Sequence, residues 1–440
     1  MAGLDDLDVR LPSVKPRVAV IGAGWAGLAA AVELAPHVRL TVFEAGRTPG
    51  GRARRVRDAE HTIDNGQHIL LGAYQTCWRL MRQVGADQAS ALLRLPLTWV
   101  QADGLRMRCP RWPAPWHLLA GLLSARGLSW RDKGRLIFAL GRLSLARWQV
   151  AGDPTVAEWL DAARQDAVLK ETFWRPLVLA ALNTPPEQAS MRMLAAVLRD
   201  SLGAARAASD MLLPRRDLSA LFPEPAVAWL AAQGGMFHFG HRVTSVEPVA
   251  NGVLVDGEAF DAAIVACAPY HAARLLPAAI VPPIVKKLSF LPIYTVYLRF
   301  ARPPRLPEPM IGLRRGTADW LFDRDALCGE AGMLAAVISA PQPGALPEGD
   351  AALIAAVLAD ARRIVADLPE PAWTRVVVER RATFAATPGL TRPGVRLGVQ
   401  SLFLAGDWVE GEYPATLEGA VQSGVAAAHA LMQDMTHTER

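Results

Sequence analysis

Cysteine is scarce in this 440-residue chain. Cys77, Cys109, Cys267 and Cys328 are its four cysteines, and none stands in C-x-x-C spacing. That argues against a zinc site or a redox pair and predicts four small buried residues in a reducing compartment. No other metal-ligand pattern is present. No run reaches eighteen uninterrupted apolar residues, so no spanning helix is predicted. The opening MAGLDDLDVRLPSVKP lacks a basic stretch followed by an apolar one, so it does not read as a signal peptide. No repeat of fixed period occurs. The charge is +5 and the pI about 9.2, without a long Lys or Arg run. This suits an anionic surface, and no nucleic-acid module accompanies it.

What is present is a globular composition, 51% hydrophobic and 20% charged, long enough for two domains. The segment RVAVIGAGWAGLAAAVELAPHVRLTVFEAGRTPGGR carries the strongest signal. Apolar runs at 18–21 and 40–43 predict buried strands, and 25–34 predicts the helix between them. Gly22, Gly24 and Gly27 form G-x-G-x-x-G at the first strand-to-helix turn. In that context Gly22 permits the turn, Gly24 lets the backbone approach a pyrophosphate, and Gly27 lets helix and strand pack closely. The phosphate then lies at the helix N-terminus. Glu44, 22 positions after Gly22, closes the second strand. A carboxylate there accepts from ribose hydroxyls and repels a 2′-phosphate, which argues against NADP. The motif alone does not separate NAD from FAD.

Further along, Asp64-Asn65-Gly66 is a turn, and the segment 61–75 is placed to run towards the cofactor ring. A helix is predicted over 76–84. Residues 112–150 mix apolar residues at helical spacing with Trp112, Trp116, Trp130, Trp148 and several arginines. Two readings stand: a membrane-facing surface with interfacial tryptophans, or helices whose apolar face is core. Residues 153–230 continue as helix. After Gly234-Gly235 the pattern shifts to short strands, with backbone contact to adenine expected at Val243. An apolar strand at 262–266 returns to the central sheet. PIYTVYLRF reads as one long strand, and LFLAGD as a strand entering a Gly-Asp turn before a final helix over 416–432.

R-T-P-G-G-R at 47–52 resembles the element that follows the ribose acid in flavoproteins of the amine oxidase and phytoene desaturase type. With it, the N-terminal fingerprint and FLAGDW…PATLEGAVQSG resemble the FAD-dependent amine oxidase and carotenoid desaturase superfamily. DNGQHILLGAY, LAALNTPPEQAS, SDMLLPRRDLSALFPEP and PIYTVYLRF narrow this to the squalene-associated FAD-dependent desaturase group of hopanoid-producing bacteria, understood as hydroxysqualene dehydroxylases. The similarity spans nearly the whole chain.

The resemblance implies an α/β fold. A Rossmann-like FAD domain would come from 1–75, 231–270 and 395–440, with an inserted α+β substrate domain from 76–230 and 271–394. It implies non-covalent FAD held through Gly22, Gly24, Gly27, Glu44, Gly50, Gly51, Arg52, Gln67, Val243, Gly406 and Asp407. Thr416, Leu417 and Glu418 would lie near the isoalloxazine. It implies loss of an allylic hydroxyl from a C30 isoprenoid, with reduced flavin giving hydride and squalene as product. Proton-donor candidates are His68, Asp64, Glu412 and Tyr413. Each also has a plain structural reading: a backbone partner, a turn cap, a solvated charge and a cavity wall. An electron donor of unknown identity is needed. The expected location is the cytoplasm, peripheral on the inner face of the bacterial membrane. An oxidative desaturase or amine oxidase, and a non-catalytic flavin scaffold for squalene synthesis, remain alternatives.

Overall fold

A computed structural model describes residues 15–58 and 61–438. The N-terminal stretch read above for a signal peptide lies outside the described residues, apart from Lys15 and Pro16. The centre is a five-stranded parallel sheet. Its order is Met236–Phe239, Arg39–Glu44, Arg17–Ile21, Ala262–Val265 and Leu402–Leu404. Alternate residues of one strand serve two cores. Val18 and Val20 face the helices, while Ala19 and Ile21 face an antiparallel meander formed by Val246–Val249, Gly252–Val255 and Glu258–Phe260. Burial on both faces is why these strands read as continuous apolar runs instead of alternating ones.

On the helical side Trp25–Leu34 packs against the C-terminal helix Leu417–Thr438. Helices Pro223–Ala232 and Gln75–Gln83 pack onto these two in turn, so this core extends beyond the segment ends drawn at 75 and 231.

The second region is built on a five-stranded antiparallel sheet, in the order Met310–Gly312, Trp320–Asp323, Met333–Ser339, Phe290–Arg299 and Trp373–Phe384. One face, with Val296 and Leu298, packs on helix Asp350–Arg362. The other face turns Thr295 and Tyr297 towards the segment 64–68. Helices fill most of 116–202. The wholly helical reading of 153–230 is corrected by the strand Met211–Pro214, which pairs with Leu70–Leu71 and Leu92–Leu95. Four apolar residues are too few for their period to distinguish strand from helix. Among the described residues no helix is long and apolar enough to cross a membrane, and no cluster of three or more His, Cys, Asp and Glu could hold a metal.

Candidate functional site: a dinucleotide cradle between two glycine turns

Gly22 sits at φ +112°, and its amide donates to the Phe43 carbonyl at 2.7 Å. A Cβ on Gly27 would stand 1.9 Å from the Gly22 carbonyl oxygen, so only glycine lets helix Trp25–Leu34 start this close to the strand. Gly24 is the helix N-cap and supplies no side-chain cap, which leaves first-turn N–H groups available to an anion. The G-G-R turn faces this one. The Gly50 amide donates to the Ala23 carbonyl at 2.8 Å, and a Cβ on Gly51 would lie 3.2 Å from the Gly24 Cα. Glycine backbone therefore faces glycine backbone where Gly24 and Gly51 meet.

Glu44 is half-buried at the strand end. Its carboxylate accepts from the Ala23 amide at 2.8 Å and the Gly46 amide at 2.7 Å, with lone pairs left for ribose hydroxyls. The loop after Met236–Phe239 is tied to the same place through His241 N–H to the Glu44 carbonyl, and Val243 is buried just beyond it. At the other end of the chain, the Gly406 amide donates to Ser423 Oγ at 2.8 Å. Asp407 is buried and accepts from Arg52 Nη2 at 2.6 Å. Arg52 also donates to the Ala382 carbonyl at 2.7 Å, so its guanidinium is engaged by protein and does not point freely at phosphate. Burial works to lower the Arg52 pKa, but Asp407, with Tyr270 and Glu379, holds it above its ordinary value.

Thr416, Leu417 and Glu418, expected near the ring, and Gln67, expected to bind the cofactor, have these partners within the protein. Glu418 is buried, and its two carboxylate oxygens accept from the Thr76 amide at 2.9 Å and the Cys77 amide at 3.0 Å. It caps helix Gln75–Gln83. Thr416 accepts from the Gly419 amide at 3.1 Å at the start of the last helix, and Leu417 is half-buried against the helical core. Gln67 donates to the Tyr297 hydroxyl at 2.9 Å and accepts from Arg324 at 3.0 Å. Its amide anchors the segment.

The proton-donor candidates also separate. Asp64 is buried between the Leu218 amide, 2.8 Å away, and Arg324, 3.0 Å away. Burial pushes its pKa up to about 6, against the pull of Arg324. Tyr413 donates to Asp200 at 2.8 Å, and Glu412 is exposed and paired with Arg199. His68 is half-buried and touches one partner, the Gly66 carbonyl, 3.2 Å from Nδ1. A carbonyl only accepts, so Nδ1 carries the proton and Nε2 of the neutral ring is an acceptor. Burial, with Arg52 adding to it, holds the His68 pKa below its ordinary value. Beside this segment Thr295 Oγ1 is buried without a hydrogen-bond partner among the described residues. Sequence reading missed Arg324, Tyr297 and Thr295. Alternation in PIYTVYLRF puts Thr295 and Tyr297 on one face, but nothing local marks Arg324 as buried.

Uncapped N–H groups, a ribose-height carboxylate and facing glycine turns are what a flavin dinucleotide requires. The model of flavin-containing amine oxidoreductases matches residues 25–432. The chain belongs to this family. As a flavin-containing amine oxidoreductase it uses FAD. It is 32% identical to the hydroxysqualene dehydroxylase of Rhodopseudomonas palustris and 30% identical to that of Sinorhizobium fredii, in each case over 93% of this chain and 97% of the relative. A probable zeta-carotene desaturase of Synechococcus elongatus is 25% identical over 95% of this chain and 98% of its own. A putative protoporphyrinogen oxidase structure from Exiguobacterium superimposes with TM-score 0.69 at 19% identity, covering 96% of this chain and all of the other. That likeness concerns the amine oxidoreductase fold alone.

Proposed function

We infer that this flavoprotein is a hydroxysqualene dehydroxylase, converting the allylic alcohol to squalene. The observation that carries the reading is its end-to-end similarity to dehydroxylases of that name, which exceeds its similarity to the zeta-carotene desaturase. Loss of hydroxide and gain of hydride is a net reduction, and FAD in its reduced form supplies the hydride. The chain's own residues have three tasks: to orient the alcohol, to supply a proton to the leaving oxygen, and to keep water from the allylic cation. His68 is the proton donor we favour, because Asp64, Glu412 and Tyr413 are engaged elsewhere while Nε2 of His68 has no hydrogen-bond partner among the described residues. Donation from Nε2 requires the imidazolium. Incubating purified, reduced protein with hydroxysqualene and analysing the lipid product tests the assignment. Recovery of unchanged alcohol would contradict it.

The substrate is nearly insoluble in water, and we propose that it arrives from a membrane surface on the cytoplasmic side. Six of the ten large apolar side chains exposed among the described residues fall within 112–145: Trp112, Trp116, Leu123, Trp130, Phe138 and Leu145. Arg131 and Arg142 are exposed in the same stretch, and Arg111 and Arg147 beside its two ends, with no ion pair among the described residues. Leu136, Ala139 and Leu143 on the opposite side of helix Trp130–Leu145 are core, so the two readings of this stretch apply to two faces of one helix. Aromatic and basic residues together suit an anionic interface.

A further inference from the structure

A cavity of about 710 Å³ opens on the second region, away from both glycine turns. Its walls come from the hairpin Thr98–Val100 and Arg106–Arg108, the end of helix Trp116–Ser124, the strand Met310–Gly312 and the residues after helix Asp350–Arg362. Four arginines line it, with one carboxylate. Arg108 is paired with that carboxylate, Glu308, at 2.7 Å, and Arg363 with Asp103 at 2.6 Å. Arg106 and Arg126 have no acidic partner among the described residues.

The backbone forces these two together. The Arg106 amide donates to the Arg126 carbonyl at 2.9 Å, and the Arg126 amide to the Arg106 carbonyl at 2.8 Å. Residues that exchange both hydrogen bonds in an antiparallel bridge put their side chains on the same face. Two like charges held this way repel unless an anion lies between them. Two guanidinium forks are suited to phosphate oxygens. The alcohol substrate carries no phosphate, and the FAD pyrophosphate belongs to the Gly24 turn. Neither accounts for the paired arginines. Its wall includes Ser124, next to exposed Leu123, and that helix begins at exposed Trp116. One helix thus contributes both to the cavity wall and to the exposed apolar side chains.

We propose that Arg106 and Arg126 bind the phosphate of an anionic phospholipid headgroup, which fixes the chain on the bilayer. The proposal rests on the membrane reading above. Flotation of the holoprotein with phosphatidylcholine vesicles, pure or containing about one part in three phosphatidylglycerol, tests it. The wild type is expected to favour the anionic vesicles by roughly thirtyfold. Arg106→Gln/Arg126→Gln is expected to lose most of that preference while keeping its flavin and its turnover of detergent-dispersed substrate. Arg131→Gln/Arg142→Gln removes equal charge outside the cavity and should lose distinctly less. Equal losses in the two variants would mean diffuse charge and overturn the site. Equal binding of both vesicle types by the wild type would overturn the site and leave the membrane reading standing. No flotation with either vesicle would overturn both. Stabilisation of the wild type alone by inorganic phosphate, with vesicle binding equal in all variants, would assign the arginines to a soluble phosphate and overturn the lipid.

Discussion

Arg52 and Asp407, 355 positions apart in sequence, form an ion pair at 2.6 Å that joins the G-G-R turn to the C-terminal Gly-Asp turn. Asp407 is the more buried partner, and its backbone carbonyl also accepts from Arg392 at 3.0 Å. The two ends of the cofactor cradle are therefore held by one charge-assisted bond. Arg52→Ala should lower stability by about 1.5–3 kcal/mol and speed flavin loss. Thermal unfolding of apo and holo forms, with flavin retention on dilution, checks this. Unchanged values would remove the pair from the cradle.

Glu44→Ala removes the acceptor for two backbone amides and the proposed acceptor for ribose. FAD affinity should fall about tenfold to a hundredfold, while the rate per bound flavin changes little. Full flavin through dialysis would show that Glu44 is not the ribose ligand. Acid precipitation of the wild type should release all the chromophore, as non-covalent binding requires.

Glu418→Ala discriminates a helix cap from a ring contact. Loss of the cap should cost about 1–2 kcal/mol through helix Gln75–Gln83 and leave the visible spectrum of bound FAD unchanged. A shifted flavin spectrum at full stability would support the ring contact.

Asp64→Ala leaves buried Arg324 with Glu330 as its one carboxylate partner among the described residues and should destabilise the fold by about 3 kcal/mol. Because burial lifts the Asp64 pKa to about 6, the folded chain holds a proton there that the unfolded chain releases between the ordinary carboxylate range and pH 6. This group's contribution to stability therefore grows as pH falls through about 6. The pH dependence of unfolding in Asp64→Asn should lack that component. An identical profile would place the titration elsewhere.

The proposed donation from His68 Nε2 requires the imidazolium, and burial with Arg52 nearby lowers the His68 pKa. The single-turnover rate should rise as pH falls below the usual histidine value. In His68→Ala that dependence should vanish and the rate fall about 10²–10⁴-fold. A pH-independent wild-type rate would return His68 to a structural role.

The nucleotide half of the fold was legible because its determinants are local. The helix Trp25–Leu34, the strands around it and the glycine turn follow from fewer than thirty consecutive residues, and Gly22 and Gly27 carry the constraints their spacing implied. The capping role of Glu418 was not legible because its partners, Thr76 and Cys77, lie about 340 positions away, and no local pattern encodes that meeting. Arg324 was invisible for the same reason, since it is buried by Asp64 and Gln67 from a distant segment. The tryptophans of 112–150 were visible. Their division between core and surface needed the two helices in place.

The most direct measurement is anaerobic. Photoreduced protein mixed with hydroxysqualene should reoxidise its flavin in step with the appearance of squalene, one squalene for each flavin. If reduced protein ignores the alcohol, while oxidised protein converts squalene or a carotenoid precursor to a more unsaturated product, the reaction runs the other way and the dehydroxylase assignment fails.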